Sequence, residues 1–594
     1  MSKYKSRSEV PEKYKWDLSD FYKDDNEYYK ELEEAKKRIE KESKFRGCTK
    51  SGKTLYEFLK YDDVTECMVE NLYMYAFIKD DEELGKEENI NRKNKATLLI
   101  SDYSNMISFF SPELLELSNE EFNKLFDYKE LNEYKFLLEE IYKNKGHILS
   151  EKEEVIINEL ETAMNNFEDI SSNLLNNEHN YGTVMIDGKE EEIHSTNLRK
   201  LLKNKDQNVR KEVFNKFRTV LNQYGGTSAS LLDSYVKNNN TTSRLHNFKN
   251  AWDEKLFDYN MPQKAYDTLV DVVSKNYSSV QKYFDLFKTT HNLKELHMYD
   301  ISLDLYPSTK KYTIEEGIDL IRNAIKPLGE EYMSCFNKII DNHYIDFCEY
   351  KGKCSGGYNA STPDHDSRIL LSFNDDLSSV STIAHECGHN VHHQFVSKYN
   401  PIHYRSVTTL VAEVVSLTNE CLLSSYLANN GSKEEKLSGI SNILHVIDNN
   451  LFDCIREAKM ETEFNKYSEE GNALTKDYMN DLDLKSLKEY YGDSVIIDEL
   501  SNTGWIRRSH YFSDYYLYDY SFCISVASAN AMKILNGDKE QLERYIKFMS
   551  LGSDVYPIDA FKVLGFDLTS NEVYETAIKY FDGLVEKYKE ISKE

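Results

Sequence analysis

Five consecutive residues, His385-Glu386-Cys387-Gly388-His389, carry the clearest chemistry in this chain. Histidines at i and i+4 lie on one face of a helix, a turn apart, and together can grip one Zn2+. A glutamate next to the first of them reaches the water that such an ion activates, and Glu386 is the candidate general base. The arrangement needs a helix, and the surrounding residues predict one. Val380, Ile383, Ala384, Cys387, Val391 and Phe395 recur at i, i+3, i+4 and i+7 and form an apolar stripe. The two histidines lie off that stripe, and Asp376 or Ser378 can cap the helix start. The plain alternative is a polar helix face with incidental histidines.

A catalytic zinc needs a third protein ligand and an open position. His392 shares the face of His385 but lies about 4.5 Å beyond His389 along the axis, so it would reach the same ion only with distortion. Glu413 is favoured as third ligand. It sits in Thr408–Leu423, a segment apolar on nearly every face, where a carboxylate is costly unless paired or metal-bound. Glu420, seven residues on, and His392 then act in a supporting role, orienting imidazoles or bonding Glu413. A second segment, Gly504–Phe522, is dense in His and Tyr. Tyr511, Tyr515 and Tyr518 are spaced to share a helical face, and a phenol beside zinc can donate to a developing oxyanion. Spacing alone equally describes an aromatic packing stripe.

The chain has 594 residues, enough for several domains or one large two-lobed enzyme. Only eight prolines occur, with none between Pro112 and Pro262, and Glu, Lys, Leu and Asn abound. That predicts helix after helix, with starts near Asp17–Asp20 and Ser111–Glu113. Two breaks interrupt the helical texture. Asp187-Gly188 after Thr-Val-Met-Ile predicts a hairpin within Tyr181–Ser195. Gly, Ser, Pro and Asp cluster in Tyr350–Phe373, where Ile369-Leu370-Leu371 reads as a short strand just upstream of the metal motif. The fold class expected is therefore mainly α, with a small β-sheet beside the active-site helix. The net charge of −28 disfavours nucleic acid and anionic lipid as partners. No run of roughly 18 apolar residues predicts a membrane span. Nine scattered cysteines and no visible signal peptide predict reduced thiols and a cytoplasmic location.

Motifs in order along nearly the whole chain give a resemblance. RSEVPEKYKWDLSDFY, KGKCSGGYNA, HECGHNVHH, AEVVSLTNE, SHYFSDYYLYDY and FMSLGSDVYPIDAFKVLGFDL together resemble the oligoendopeptidase F family of thimet-oligopeptidase-like zinc metallopeptidases. The resemblance implies a two-lobed helical body with a deep substrate channel and one zinc per chain. It implies short peptides as substrates, His385, His389 and Glu413 as ligands and Glu386 as base. It also implies substrate contacts from His510 and Tyr518, then Tyr511 and Tyr515, and a cleft lined by Gly356, Gly357 and Tyr358. An N-terminal helical lobe over residues 1–200 and a catalytic lobe over 201–594 are expected. Cys387 stands where the family has an apolar residue, and points about 200° from the ligand face. Ser509-His510-Tyr511-Phe512 replaces Pro-His-Phe-Tyr, which shifts the tyrosine offset. Two other readings remain: a zinc hydrolase acting on a different amide, and a helical scaffold with a structural zinc. The oligomeric state is not legible.

Overall fold

The structure is a computed structural model. It describes residues 4–593 apart from 151, 155, 158–159, 161–165 and 177–178. Its elements include α1 (Asp25–Glu42), α2 (Gly52–Glu82), α3 (Glu87–Ile107), β1 (Thr183–Ile186), β2 (Lys189–Glu192), α4 (Gln207–Leu245), α5 (Ile314–Ala324), α6 (Gly329–Asp341) and β3 (Ile345–Asp346). They continue with β4 (Tyr358–Ala360), β5 (Arg368–Leu370), α7 (Leu377–Tyr399), α8 (Thr409–Asn430), α9 (Cys454–Glu469), α10 (Leu517–Leu535) and α11 (Lys539–Met549). The fold is mainly α. No helix among the described residues is long and apolar enough to cross a membrane.

The chain divides into two compact units, each assembled from three separate stretches. The first comprises Met1–Gly146, Lys311–Leu423 and Ile534–Leu564; the second comprises His147–Lys310, Ser424–Lys533 and Gly565–Glu594. The position expected to separate two lobes, near residue 200, lies inside the second unit.

In the first unit, α1, α2 and α3 pack together around Tyr28, Leu32, Leu72, Ala76, Ala96 and Leu99. Ala360 of β4 and Leu370 of β5 join the same core. The sheet runs β3-β5-β4, with β3 parallel and β4 antiparallel to β5, so β4 is an outer strand. Buried Lys353 pins the Gly-rich segment before β4. Its ammonium pairs with Asp346 at 2.6 Å and donates to the carbonyls of Cys348 and Leu371 at 2.9 and 2.6 Å. Such a buried cation is tolerable because every donor is used. α7 packs against α5, α6, α11 and β4.

The second unit holds the hairpin β1–β2, with the turn at Asp187 (φ 51°) and Gly188 (φ 77°). Positive φ at both central residues is what a two-residue turn between twisted strands requires. The apolar stretch Phe522–Ala529 lies buried within α10.

The expected helix start at Asp17–Asp20 does not occur. The Asp17 carboxylate accepts from the Ser19 N–H at 2.8 Å and closes a local turn, and helix begins only at Asp25, capped by Asp24. Near Ser111 the helix runs Phe110–Glu116, so Pro112 falls inside its first turn.

Candidate metal centre

All residues of the metal motif lie in the first unit. Asp376 caps α7, its carboxylate accepting from the Ser379 N–H. Val380, Ile383, Ala384, Cys387, Val391 and Phe395 are buried, as the stripe predicts, and they fix the rotation of α7. That rotation turns His385 and His389 toward α8. Their Nε2 atoms lie 3.2 Å apart. Glu413, on the first turns of α8, places Oε2 3.5 Å from His385 Nε2 and Oε1 3.7 Å from His389 Nε2. Among the described residues, these three are the one set of His, Cys, Asp and Glu arranged to hold a metal ion.

The donor set fits a tetrahedral divalent ion. Bonds of about 2.0–2.2 Å at tetrahedral angles put neighbouring ligand atoms roughly 3.3–3.5 Å apart. The orientation of His385 is also set. Its Nδ1–H donates to Glu420 Oε1 at 2.8 Å, which leaves the Nε2 lone pair facing His389 and Glu413. Ser381 donates to the other Glu420 oxygen at 2.9 Å, and Ser416 to Glu413 Oε2 at 3.0 Å.

Burial opposes a charged ring at His385, but the hydrogen bond to Glu420 and the charges of Glu420, Glu413 and Glu386 outweigh it and raise the pKa to about 9. Burial, then the charge of His385, holds His389 well below the usual histidine value. Glu386 is 7% exposed. Burial lifts its carboxyl to about 7 against the pull of His385 and with the push of Glu413 and Glu420. Three carboxylates crowd two imidazoles here, an imbalance that a bound divalent cation relieves.

Gly388, Asn419 and Tyr332 position the centre without being members of the donor set. A Cβ at Gly388 would come within 2.7 Å of Ser416 Cα, so α7 and α8 touch backbone to backbone there. Asn419 Nδ2 donates to the Ala384 carbonyl at 2.9 Å, and the Tyr332 hydroxyl on α6 donates to Asn419 Oδ1 at 2.8 Å. In the sequence, Asn419 stands within the apolar run of α8, where an amide demands partners. Gly388→Ala is expected to cost about 1–3 kcal/mol by forcing the helices apart. It should weaken metal uptake with it, as thermal melting and metal analysis of one sample would check; wild-type values in both would show that the close approach is not required.

The other candidate residues fall as follows. Cys387 is buried in the stripe and outside the donor set. His392 is also outside it; its ring stacks on Phe548 of α11, and its Nε2 has no hydrogen-bond partner. Gly356 and Gly357 precede β4, and Tyr358 begins it, with its hydroxyl donating to Asp81 of α2 at 2.8 Å.

His510, Tyr511, Tyr515 and Tyr518 belong to the second unit. The expected common helical face of the tyrosines does not form. Ser509–Phe512 is a 3-10 turn, Tyr515 has φ 51°, and α10 begins at Leu517. Side chains take the backbone donors that a helix would have used: the Asp514 N–H goes to the Tyr235 hydroxyl at 3.2 Å and the Tyr515 N–H to Glu461 at 2.8 Å. Tyr511 packs edge-on to Phe464, and Tyr515 and Tyr518 flank Trp252. Tyr518 is 1% exposed, and its hydroxyl has no partner. His510 is half-buried, its Nε2 3.5 Å from the Tyr520 hydroxyl.

Residues 200–580 match the family model described as Peptidase family M3, and residues 113–180 match one described as Oligopeptidase F. Oligopeptidase PepF of Bacillus subtilis is 31% identical over 98% of this chain and 88% of its own length. A crystal structure of a Chlamydophila abortus protein superposes with a TM-score of 0.91 at 26% identity, covering 99% of this chain and all of that one. The structure of oligoendopeptidase-F from Enterococcus faecium does so with a TM-score of 0.73 at 26% identity, over 96% and 99% of the two chains.

Proposed function

We propose, from the premise that this chain belongs to peptidase family M3 and is a metalloendopeptidase, that it is a zinc oligoendopeptidase cleaving internal bonds of short peptides. His385, His389 and Glu413 would hold one Zn2+ per chain, and Glu386 would be the general base. The observation that carries this reading is the convergence of two imidazole nitrogens and a carboxylate within 3.2–3.7 Å.

When bound, the zinc ion supplies Lewis acidity to the scissile carbonyl and to the attacking water. Glu386 accepts a proton from that water as its oxygen bonds to the carbonyl carbon. It then passes the proton to the amide nitrogen as the C–N bond breaks, which returns Glu386 to its starting charge. Glu420 keeps His385 in one tautomer throughout. The outer strand β4, preceded by Gly356 and Gly357, offers an extended edge along which a peptide backbone can pair. The family resemblance assigns His510 and Tyr518 to the substrate carbonyl. Tyr511 and Tyr515 retain the substrate-side assignment that the resemblance gives them.

A closed structural zinc site uses four protein donors, and the set among the described residues has three. That favours an open, catalytic centre over the scaffold reading. All nine cysteines are free thiols, which supports a reducing, cytoplasmic setting and cytoplasmic peptides as the substrate pool.

The test compares an internally quenched peptide of roughly ten residues with casein. Cleavage of the peptide with casein left intact is expected. Casein degradation at a comparable rate would contradict the restriction to short substrates, and no cleavage across a varied peptide pool would favour another amide.

A further inference from the structure

The segment that leads into β4, residues 350–358, has little intrinsic order. Gly352 and Gly356 take φ of 94° and 101°, and Ser355, Gly356 and Gly357 are exposed. β4 itself has three residues and one hydrogen-bonded neighbour, β5. Short, glycine-rich strands specify their register weakly. Yet this one is tied at both ends. Upstream, the Leu84 N–H donates to the Gly352 carbonyl at 2.6 Å, and the Cys354 N–H donates to the Asp81 carbonyl at 2.9 Å. Downstream, the Tyr358 hydroxyl donates to the carboxylate of the same Asp81, on α2, at 2.8 Å. The three exposed residues are what lies between those ties.

Lys353 is the hub of the upstream end, with a side chain 1% exposed. Its ammonium donates to the Asp346 carboxylate and carbonyl at 2.6 and 3.0 Å, and to the carbonyls of Cys348 and Leu371. Asp346 belongs to β3 and Leu371 directly follows β5, so one side chain on the approach to β4 is tied to both other strands of the sheet. Arg7 takes the second Asp346 oxygen and reaches Glu82, at the end of α2, at 3.0 Å. A buried ion pair adds little stability over an apolar group of the same shape; what it can add is the choice of one backbone arrangement. That choice bears on the metal centre. A cavity of about 510 Å3 has Asn359 of β4 in its wall together with His389 and Glu413.

We propose that Lys353 is a positioning residue for the peptide substrate: with Asp81 at the far tie, it holds the outer edge of β4 in the register at which a peptide backbone pairs beside the metal centre. This deepens, and rests on, the peptidase reading and its pairing of substrate with β4. Lys353 acts through the strand and not on the reacting atoms. Its loss should therefore blur the recognition of backbone hydrogen-bond donors and leave the proton transfers of Glu386 in place. A role in packing alone would be met by any side chain that fills the space, and its loss would affect all peptides alike.

The test uses quenched decapeptides that each carry one N-methylated backbone amide, at successive positions within three residues of the cleaved bond but not at that bond, beside the unmethylated peptide. An N-methyl group removes one donor, and pairing along a strand edge uses the donors of alternate residues. The full-length wild-type protein is expected to lose about 10-fold or more in kcat/KM at every second position and little between them. Lys353→Met should flatten that alternation to within about 2-fold, and should lower kcat/KM for the unmethylated peptide more than kcat. Ratios within each protein cancel differences in folded fraction. Should Lys353→Met fail to fold, Tyr358→Phe severs the far tie by removing one hydroxyl and should weaken the alternation in the same sense. No alternation in the wild-type protein, or full alternation in the folded variant, would overturn the proposal. Anisotropy of the labelled peptides on Glu386→Gln protein, with and without Lys353→Met, reads the same pattern as affinities. Alternating affinities without cleavage would refute the peptidase reading and leave the positioning of the bound backbone intact.

Discussion

Glu386→Gln is expected to keep its metal and lose about 1000-fold or more in kcat, read with a quenched peptide beside metal analysis. Glutamine fills the same space in this buried position but cannot accept the proton of the attacking water. It also removes one of three carboxylates around His385, so the fold should be no less stable. Retention of both metal and full activity would remove Glu386 from the chemistry. Loss of metal together with activity would mean that Glu386 helps hold the ion, a role its place outside the donor set argues against.

Glu413→Gln is expected to reduce metal affinity by at least about 100-fold, and activity in step, because a neutral amide is a poor ligand in place of a carboxylate. Glu420→Gln should do less, about 10–100-fold, since Glu420 touches the centre only through His385 Nδ1. Competition with a chelating dye would rank the two. The reverse ranking would exchange their roles, making Glu420 the ligand and Glu413 the support.

Much of this centre is visible in the residues themselves. The stripe from Val380 to Phe395 encodes which side of α7 is buried, and burial of that side decides where His385 and His389 point. A carboxylate in the apolar run of α8 marks Glu413 for the same reason, because it must find a cation or a partner. The turn at Asp187-Gly188 is equally legible, since few residue pairs tolerate positive φ at both positions.

What sequence does not show is set by long-range packing. The parallel pairing of β3 with β5 involves only two residues of β3, too few for a pattern. The contact of Gly388 with Ser416 depends on how closely two helices approach, which no local periodicity reports. The tyrosine segment near His510 has helical spacing, but Tyr235 and Glu461, far away in sequence, take its backbone donors and break the helix. The three-segment make-up of each unit is hidden likewise, because two of its boundaries, after Leu423 and after Lys533, fall inside the single helices α8 and α10.

The most direct test of the account is a zinc titration of the chelator-stripped protein, following peptide cleavage and tightly bound metal together. The account predicts no cleavage without metal, then a linear rise that breaks at one zinc per chain, and no comparable rise for Glu413→Gln. Full cleavage by the stripped protein, or activity that ignores bound zinc, would contradict the claim that His385, His389 and Glu413 form the working centre.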